Sequence, residues 1–186
     1  MRHILGESLK CFSESGFDRV TYDDLIARSN VSRGSFYWYF PSKEALYDAV
    51  LDYCVSGYVA RLEAQFGRTD PDHHIVKRLL AACLADFDAN RMQYRLLLRP
   101  PPSAAAIRKL AQWNDDVSRF MRDKLEPSVA VGRLDDKTAE VIPDVLSALL
   151  DGICVRLVLD DKASVSRLAR NMEVFLCRIF DHTPPS

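Results

Sequence analysis

The stretch Val31-Ser32-Arg33-Gly34-Ser35-Phe36-Tyr37-Trp38-Tyr39-Phe40-Pro41-Ser42-Lys43-Glu44-Ala45-Leu46 decides how the rest of the chain is read. Ser32 has the chemistry of a helix N-cap, so a short helix follows it. Phe36 and Phe40 are four apart, so they share one helix face and can anchor it to a core. Arg33, Ser35, Tyr37, Trp38 and Tyr39 then point largely elsewhere. A helix that keeps three large aromatics near its surface usually has a partner for them. Gly34 weakens such a helix by up to about 1 kcal/mol, and it removes a side chain where a ligand can approach the backbone. Arg33 and Lys43 each fall at the first position of a helix, where a cation is disfavoured by a few tenths of a kcal/mol. A phosphate reverses that sign, because the free N–H groups and the cation attract it together.

Reading outward from this stretch, the preceding residues supply two more short helices. Ile4, Leu5, Ser8, Leu9 and Phe12 mark one face of the first, and Gly16 is its expected left-handed cap. Thr21 can cap the second helix, with Asp24 as its acidic partner three residues on. Asn30 tolerates positive φ better than other non-glycine residues and can make the turn before Ser32. Two helices joined by a tight turn, the second free to enter a major groove, form helix–turn–helix grammar.

With these residues in hand, the run Ile4-Leu5 … Phe12 … Gly16-Phe17 … Thr21 … Leu25-Ile26-Ala27 … Val31 to Leu46 resembles the DNA-binding domain of the TetR family of transcriptional regulators. Leu149-Leu150-Asp151-Gly152-Ile153 is more weakly similar to the penultimate helix of many members. The resemblance implies an all-helical homodimer whose N-terminal domain holds operator DNA and whose divergent C-terminal domain binds an inducer. By position it implies base contacts at Arg33, Gly34, Ser35, Tyr37 and Trp38, and phosphate contacts at Thr21, Tyr39 and Lys43. Arginine pairs bidentately with guanine, and serine suits either base type. Most members carry His or another polar residue where Trp38 stands, and most begin with a longer, often basic, segment before the first helix.

Beyond residue 46 helical periodicity continues. A fourth helix is expected from Ser42 to about Phe66, followed by a break over Gly67 to Pro71. Further helices are expected over Ile75–Phe87, Met92–Leu98, Ile107–Leu125 (ending before Pro127), Val141–Leu157 and Val165–Phe180. The expectation is an all-α chain of about nine helices. Residues 1–46 form the helix–turn–helix domain, and 47–186 a helical ligand-binding and dimerisation domain. In that second part Phe87, Tyr94 and Trp113 either line a pocket or fill core. Arg91, Arg95 and Arg99 recur every four residues, as a solvated face or an anion site. The broad apolar faces of the last two helices predict a four-helix dimer interface using Leu149, Gly152, Ile153, Leu157, Leu168, Met172, Phe175 and Leu176.

Composition limits the alternatives. The formal net charge is −1, and residues 1–45 carry six cations and six acids, so a DNA face must come from segregated charges. The longest apolar run is seven residues, Leu79 to Ala85, far short of a membrane span. The start Met1-Arg2-His3-Ile4 lacks a signal peptide's apolar stretch, so the expected address is cytoplasmic. The five cysteines at 11, 54, 83, 154 and 177 make no C-x-x-C pair and read as buried reduced thiols. His73-His74, adjacent on a helix, would diverge by about 100° and make a poor metal pair. No catalytic, metal or cofactor set is expected. The sequence therefore predicts a repressor released from a palindromic operator by a small-molecule inducer. An activator of the same fold, an architectural DNA binder, and a helical-bundle enzyme or carrier are the rivals.

Overall fold

The computed structural model describes residues 1–66, 74–160 and 164–180, with side chains in the last helix given through 172 and at 174. Ten helices and no strand occur among the described residues: α1 (Arg2–Ser15), α2 (Tyr22–Ser29), α3 (Arg33–Tyr39), α4 (Lys43–Val55), α5 (Tyr58–Phe66), α6 (Ile75–Ala89), α7 (Arg91–Leu97), α8 (Ala104–Ala130), α9 (Asp136–Leu159) and α10 (Val165–Phe180). The chain is all-α, as its periodicity predicts.

Two boundaries differ from expectation. The long fourth helix is two helices. Ser56 leaves helical geometry at ψ 133 while its N–H bonds Asp52 O at 2.8 Å. Gly57 follows at φ 74, which glycine adopts without steric cost. In contrast, α8 does not stop before Pro127 but carries it and runs on to Ala130. Proline removes one i→i−4 bond, and this one lies within the final turn, where fewer downstream bonds are lost. The expected break at 67–71, the first histidine of the pair, His73, and the tail at 181–186 lie outside the described residues.

The chain packs as two compact units. The first contains residues 1–58 and 90–114, the second 59–89 and 115–186. This division by packing is distinct from the division by task expected at residue 46. In the first unit α1 packs against α2, α4 and α7. Its core holds Ile4, Leu9, Phe12, Leu25, Phe36, Phe40, Leu46, Tyr47, Val50 and Leu51, joined by Leu96 of α7 and Ala106 of α8. Phe12, Phe17 and Tyr47 form an aromatic knot with ring centroids 5.2 to 5.9 Å apart. Burying a large apolar side chain contributes about 1.5–3 kcal/mol, so this set fixes the geometry of the short helices it anchors. Burial pushes the Tyr47 phenol up to about 12, which keeps it neutral.

In the second unit α6 packs against both α9 and α10. Its fully buried Asp86 accepts from Arg61 Nε at 2.7 Å. The pairing lets a carboxylate sit in an otherwise apolar helix face, since an unpaired one would be very costly. Cys11, Cys54, Cys83 and Cys154 are buried free thiols, and Cys177 falls outside the described side chains. Among the described residues no cluster of metal-ligating side chains occurs, and no helix is long and apolar enough to cross a membrane.

Candidate nucleic-acid interface

The α2–turn–α3 segment is built almost entirely by local caps. Thr21 and Asp24 make a reciprocal capping box: Asp24 N–H donates to Thr21 Oγ1 at 3.2 Å, and Thr21 N–H donates to Asp24 Oδ2 at 3.0 Å. The Thr21 hydroxyl also donates to Asp24 Oδ2 at 2.6 Å, and these bonds hold the Asp24 carboxyl below its ordinary value. Asn30 closes α2 in the left-handed region at φ 52, ψ 35. Ser32 then caps α3, accepting from Ser35 N–H at 3.2 Å. Ser42 caps α4 in the same way, through Ala45 N–H at 3.1 Å.

Packing then sets which face of α3 looks outward. Phe36 and Phe40 are buried in the core. Tyr22 of α2 lies edge-on to Phe36 at 5.2 Å and against Tyr37 at 4.8 Å, and its hydroxyl donates to Phe40 O at the end of α3. With its back fixed, α3 turns Arg33, Gly34, Ser35, Tyr37, Trp38 and Tyr39 to solvent. Trp38 is 78% exposed and Tyr37 44%. Trp38 rests edge-on against Tyr39 at 4.8 Å, so the two rings support each other without being buried. A Cβ on Gly34 would meet nothing within 4 Å, so the helix surface is open there.

The charged residues are less free than the sequence suggests. Arg33 pairs with Asp23 of α2, and both side chains are well exposed. Exposed pairs contribute little, so Arg33 can exchange this carboxylate for a base at small cost. Lys43 Nζ donates to Phe17 O at 3.0 Å and Val20 O at 3.1 Å and lies 4.3 Å from the centre of the Phe17 ring. An ammonium has three N–H donors, so two carbonyls leave one for another acceptor. Thr21 already uses its hydroxyl proton on Asp24. Asp23, Tyr22 and the Phe17 and Val20 carbonyls are thus parts of the site that the sequence did not single out. The i, i+10 spacing of Asp23 and Arg33 gives no helical signal.

The remaining expected sites divide between the two units. In the first, Tyr58 lies edge-on to Trp113 at 5.3 Å and to Tyr94 at 6.4 Å. The Trp113 Nε1–H is buried without a hydrogen-bond partner. In the second, Phe87 is buried on α6. Arg99 is not part of a solvated arginine face. The helix carrying Arg91 and Arg95 ends at Leu97, and Arg99 bonds the end of α1 instead. On α9, Ile153 and Leu157 are buried within one copy of the chain, because they lie on the inward face. The outward apolar residues are Val141, Val145, Val155 and Leu159, the last 80% exposed, with Gly152 also exposed. Leu149, Leu168 and Met172 are half-buried, and Phe175 and Leu176 lie outside the described side chains.

Comparison with known proteins agrees with this geometry. Residues 4–50 match the family model described as "Bacterial regulatory proteins, tetR family". The chain is 29% identical over 161 residues to the HTH-type transcriptional repressor Rv1474c of Mycobacterium tuberculosis, covering 84% of this chain and 81% of that protein. A TetR transcription regulator from Haloarcula marismortui superposes with a TM-score of 0.78 at 22% identity, covering 92% of each chain. A TetR-family regulator from Syntrophomonas wolfei superposes with a TM-score of 0.76 at 20% identity, covering 98% of this chain and 95% of that one. These structures share the fold, an N-terminal helix–turn–helix followed by a helical domain.

Proposed function

We propose, for a chain that belongs to the TetR family and is a DNA-binding transcriptional regulator, not an enzyme, the finer role of a repressor that a small molecule releases from its operator. The observation that carries this reading is α3 itself, which holds Tyr37, Trp38 and Tyr39 in solvent while Phe36 and Phe40 fix it from behind. Arg33, Gly34, Ser35, Tyr37 and Trp38 contact bases, with Arg33 leaving Asp23 for guanine. Thr21, Tyr39 and Lys43 contact phosphates, which set position without reading sequence. Thr21 does so by turning its hydroxyl proton from Asp24 to phosphate. Residues 1–46 perform this task, and residues 47–186 bind the inducer and dimerise.

The protein acts in the cytoplasm as a homodimer, seating two α3 helices in successive major grooves about 34–36 Å apart. The apolar residues exposed on α9, with Leu149, Gly152, Leu168 and Met172, support a subunit contact there, since exposed apolar residues gathered on one helix suit an interface. Tyr94 and Trp113, which share the first unit with Tyr58, contact the inducer, a role favoured for Trp113 by its unpartnered indole N–H. The repressor sign, rather than activation, is supported by the repressor named among its relatives.

The test is retention of DNA from the region upstream of the protein's own coding sequence, in competition with random DNA and over a range of salt. Neutralising about six phosphates gives a slope of log affinity against log salt of roughly −5. A slope near zero removes the phosphate assignments. Equal affinity for upstream and random DNA removes the regulator's specificity and leaves an architectural binder.

A further inference from the structure

Helix α7 ends beside the C-terminus of α1, and one side chain joins them. Arg99 donates from Nε to Ser13 O at 3.0 Å, and from Nη2 to Ser13 O and to Glu14 O, each at 2.8 Å. Those carbonyls belong to the last turn of α1, where no downstream N–H reaches them. A cation at a helix C-terminus is favoured by the macrodipole as well. The fit extends to the cap. Gly16 sits at φ +81, and a Cβ there would lie 3.1 Å from Arg99 Nη1. The backbone angle favours glycine here, and a Cβ would also press on the guanidinium beside it. The sequence distance between the partners is 86 residues for Ser13.

What Arg99 holds is the root of the loop that carries the phosphate-contact candidates. The chain leaves Gly16, and two of the next four carbonyls, Phe17 O and Val20 O, accept from Lys43. Thr21 follows Val20 directly. Lys43 and Thr21 are thus both referenced to a segment whose upstream end is fixed by Arg99. On the other side, α7 is not free to swing. Leu96 is buried in the core of the same unit, and Pro100-Pro101-Pro102 follow Arg99 at once. The same short helix carries Tyr94, which faces Tyr58 in the cluster with Trp113.

We infer that Arg99 is a positioning residue for DNA binding: it fixes the α1–α2 loop so that Thr21 and Lys43 meet phosphate together, and it ties their placement to α7. This rests on the reading of Thr21 and Lys43 as phosphate contacts. The geometry makes α7 part of the DNA-reading apparatus although it lies far outside the helix–turn–helix in sequence. Displacement of α7 alters phosphate contact without touching α3.

The experiment compares the full-length protein with R99Q and R99K, using double-stranded sites selected from a random pool by the unaltered protein. R99Q is expected to bind the selected sites on the order of tenfold more weakly, since hydrogen bonds to charged groups are the stronger ones. Its salt slope is expected to be shallower by about 2 for the dimer, roughly one unit for each of the two Lys43 ammonium groups that no longer neutralise a phosphate. R99K, which keeps the charge but not the fork, recovers part of both. Amide exchange in the free proteins provides an arm independent of DNA. R99Q is expected to accelerate exchange over residues 13–21, including the Gly16 N–H bonded to Phe12 O at 3.0 Å, and to leave α9 unchanged. A folded R99Q whose slope matches the parent overturns the inference, even where affinity falls in step with stability. Unchanged exchange over 13–21 also overturns it. If the unaltered protein selects no site, the function proposed above fails instead, and the exchange arm alone decides whether the clamp exists.

Discussion

The first compact unit contains two seven-residue helices that both begin with arginine, α3 (Arg33–Tyr39) and α7 (Arg91–Leu97), and they are built in opposite senses. In α3 a serine side chain caps the start, one aromatic edge is buried, and the remaining aromatics stand in water. In α7 the N-cap Asn90 makes no side-chain cap bond, and the helix buries Tyr94 and Leu96. A short helix is marginal alone, so each needs tertiary support. α3 takes support on one side and offers the other. α7 takes support at Tyr94 and Leu96, leaves Arg91, Met92 and Arg95 exposed, and sets Arg99 just beyond its end. The lesson is that reading and positioning can be done by helices of equal length, distinguished by which face the core claims.

The comparison breaks most visibly where each helix enters the core. Phe36→Ala should destabilise the protein by about 3–5 kcal/mol, measured by denaturant unfolding, because a fully buried ring leaves a cavity. Leu96→Ala should cost about 2–5 kcal/mol for the same reason. The unfolding of α1 to α4 should move with it, followed by amide exchange. A cost well under 1 kcal/mol would separate α7 from the unit and undo the comparison. On the outward face of α3 the signature reverses. Arg33→Ala should leave stability within about 0.5 kcal/mol while relaxing discrimination at one base pair by about 1–3 kcal/mol. Competition assays against single-base variants of the site read this directly, and equal losses on specific and random DNA would deny Arg33 a base.

The smallest expected effect concerns the cap that precedes α2. The Thr21 hydroxyl hydrogen bond to Asp24, with the Thr21 backbone N–H, lowers that carboxyl's pKa on folding. A group lowered in this way contributes stability that is present above its unfolded value and is lost as pH falls through the folded one. Asp24→Asn should therefore remove that contribution at neutral pH and flatten the acid limb of the stability curve, so that variant and parent converge below the folded-state pKa. A variant with an unaltered acid limb would show that the capping box does not govern that limb.

The local devices are legible because their parts lie three or four residues apart. Thr21 with Asp24, Asn30 at the turn, and Ser32 before Ser35 can all be seen without knowing the fold, and so can the Phe36–Phe40 edge. The break between α4 and α5 escapes a sequence reading because Ser56-Gly57 interrupts an otherwise continuous apolar period, and a single glycine is tolerated in many helices. Pro127 misleads in the other direction, since its cost depends on how close it lies to the helix end. Arg99 is out of reach for a different reason. Its partners are backbone carbonyls far back along the chain, and carbonyls leave no mark in composition. On α9 the period is visible but its phase is not. Ile153 and Leu157 have the same character as Val155 and Leu159, and only packing against α6 decides which pair faces inward.

The chain holds two tryptophans, and the fold places them in opposite surroundings: Trp38 lies in open water on α3, and the indole N–H of Trp113 is enclosed beside Tyr58. The molecule consequently carries its own pair of optical reporters. Emission from Trp38 is expected at the red end, as for a hydrated indole, with a response when a duplex covers α3. Emission from Trp113 is expected further to the blue, with a response when a bound group accepts a hydrogen bond from its N–H. Exciting one natural chromophore type, with Trp38→Phe to subtract the outer signal, follows events at the two ends of this unit separately and without a label.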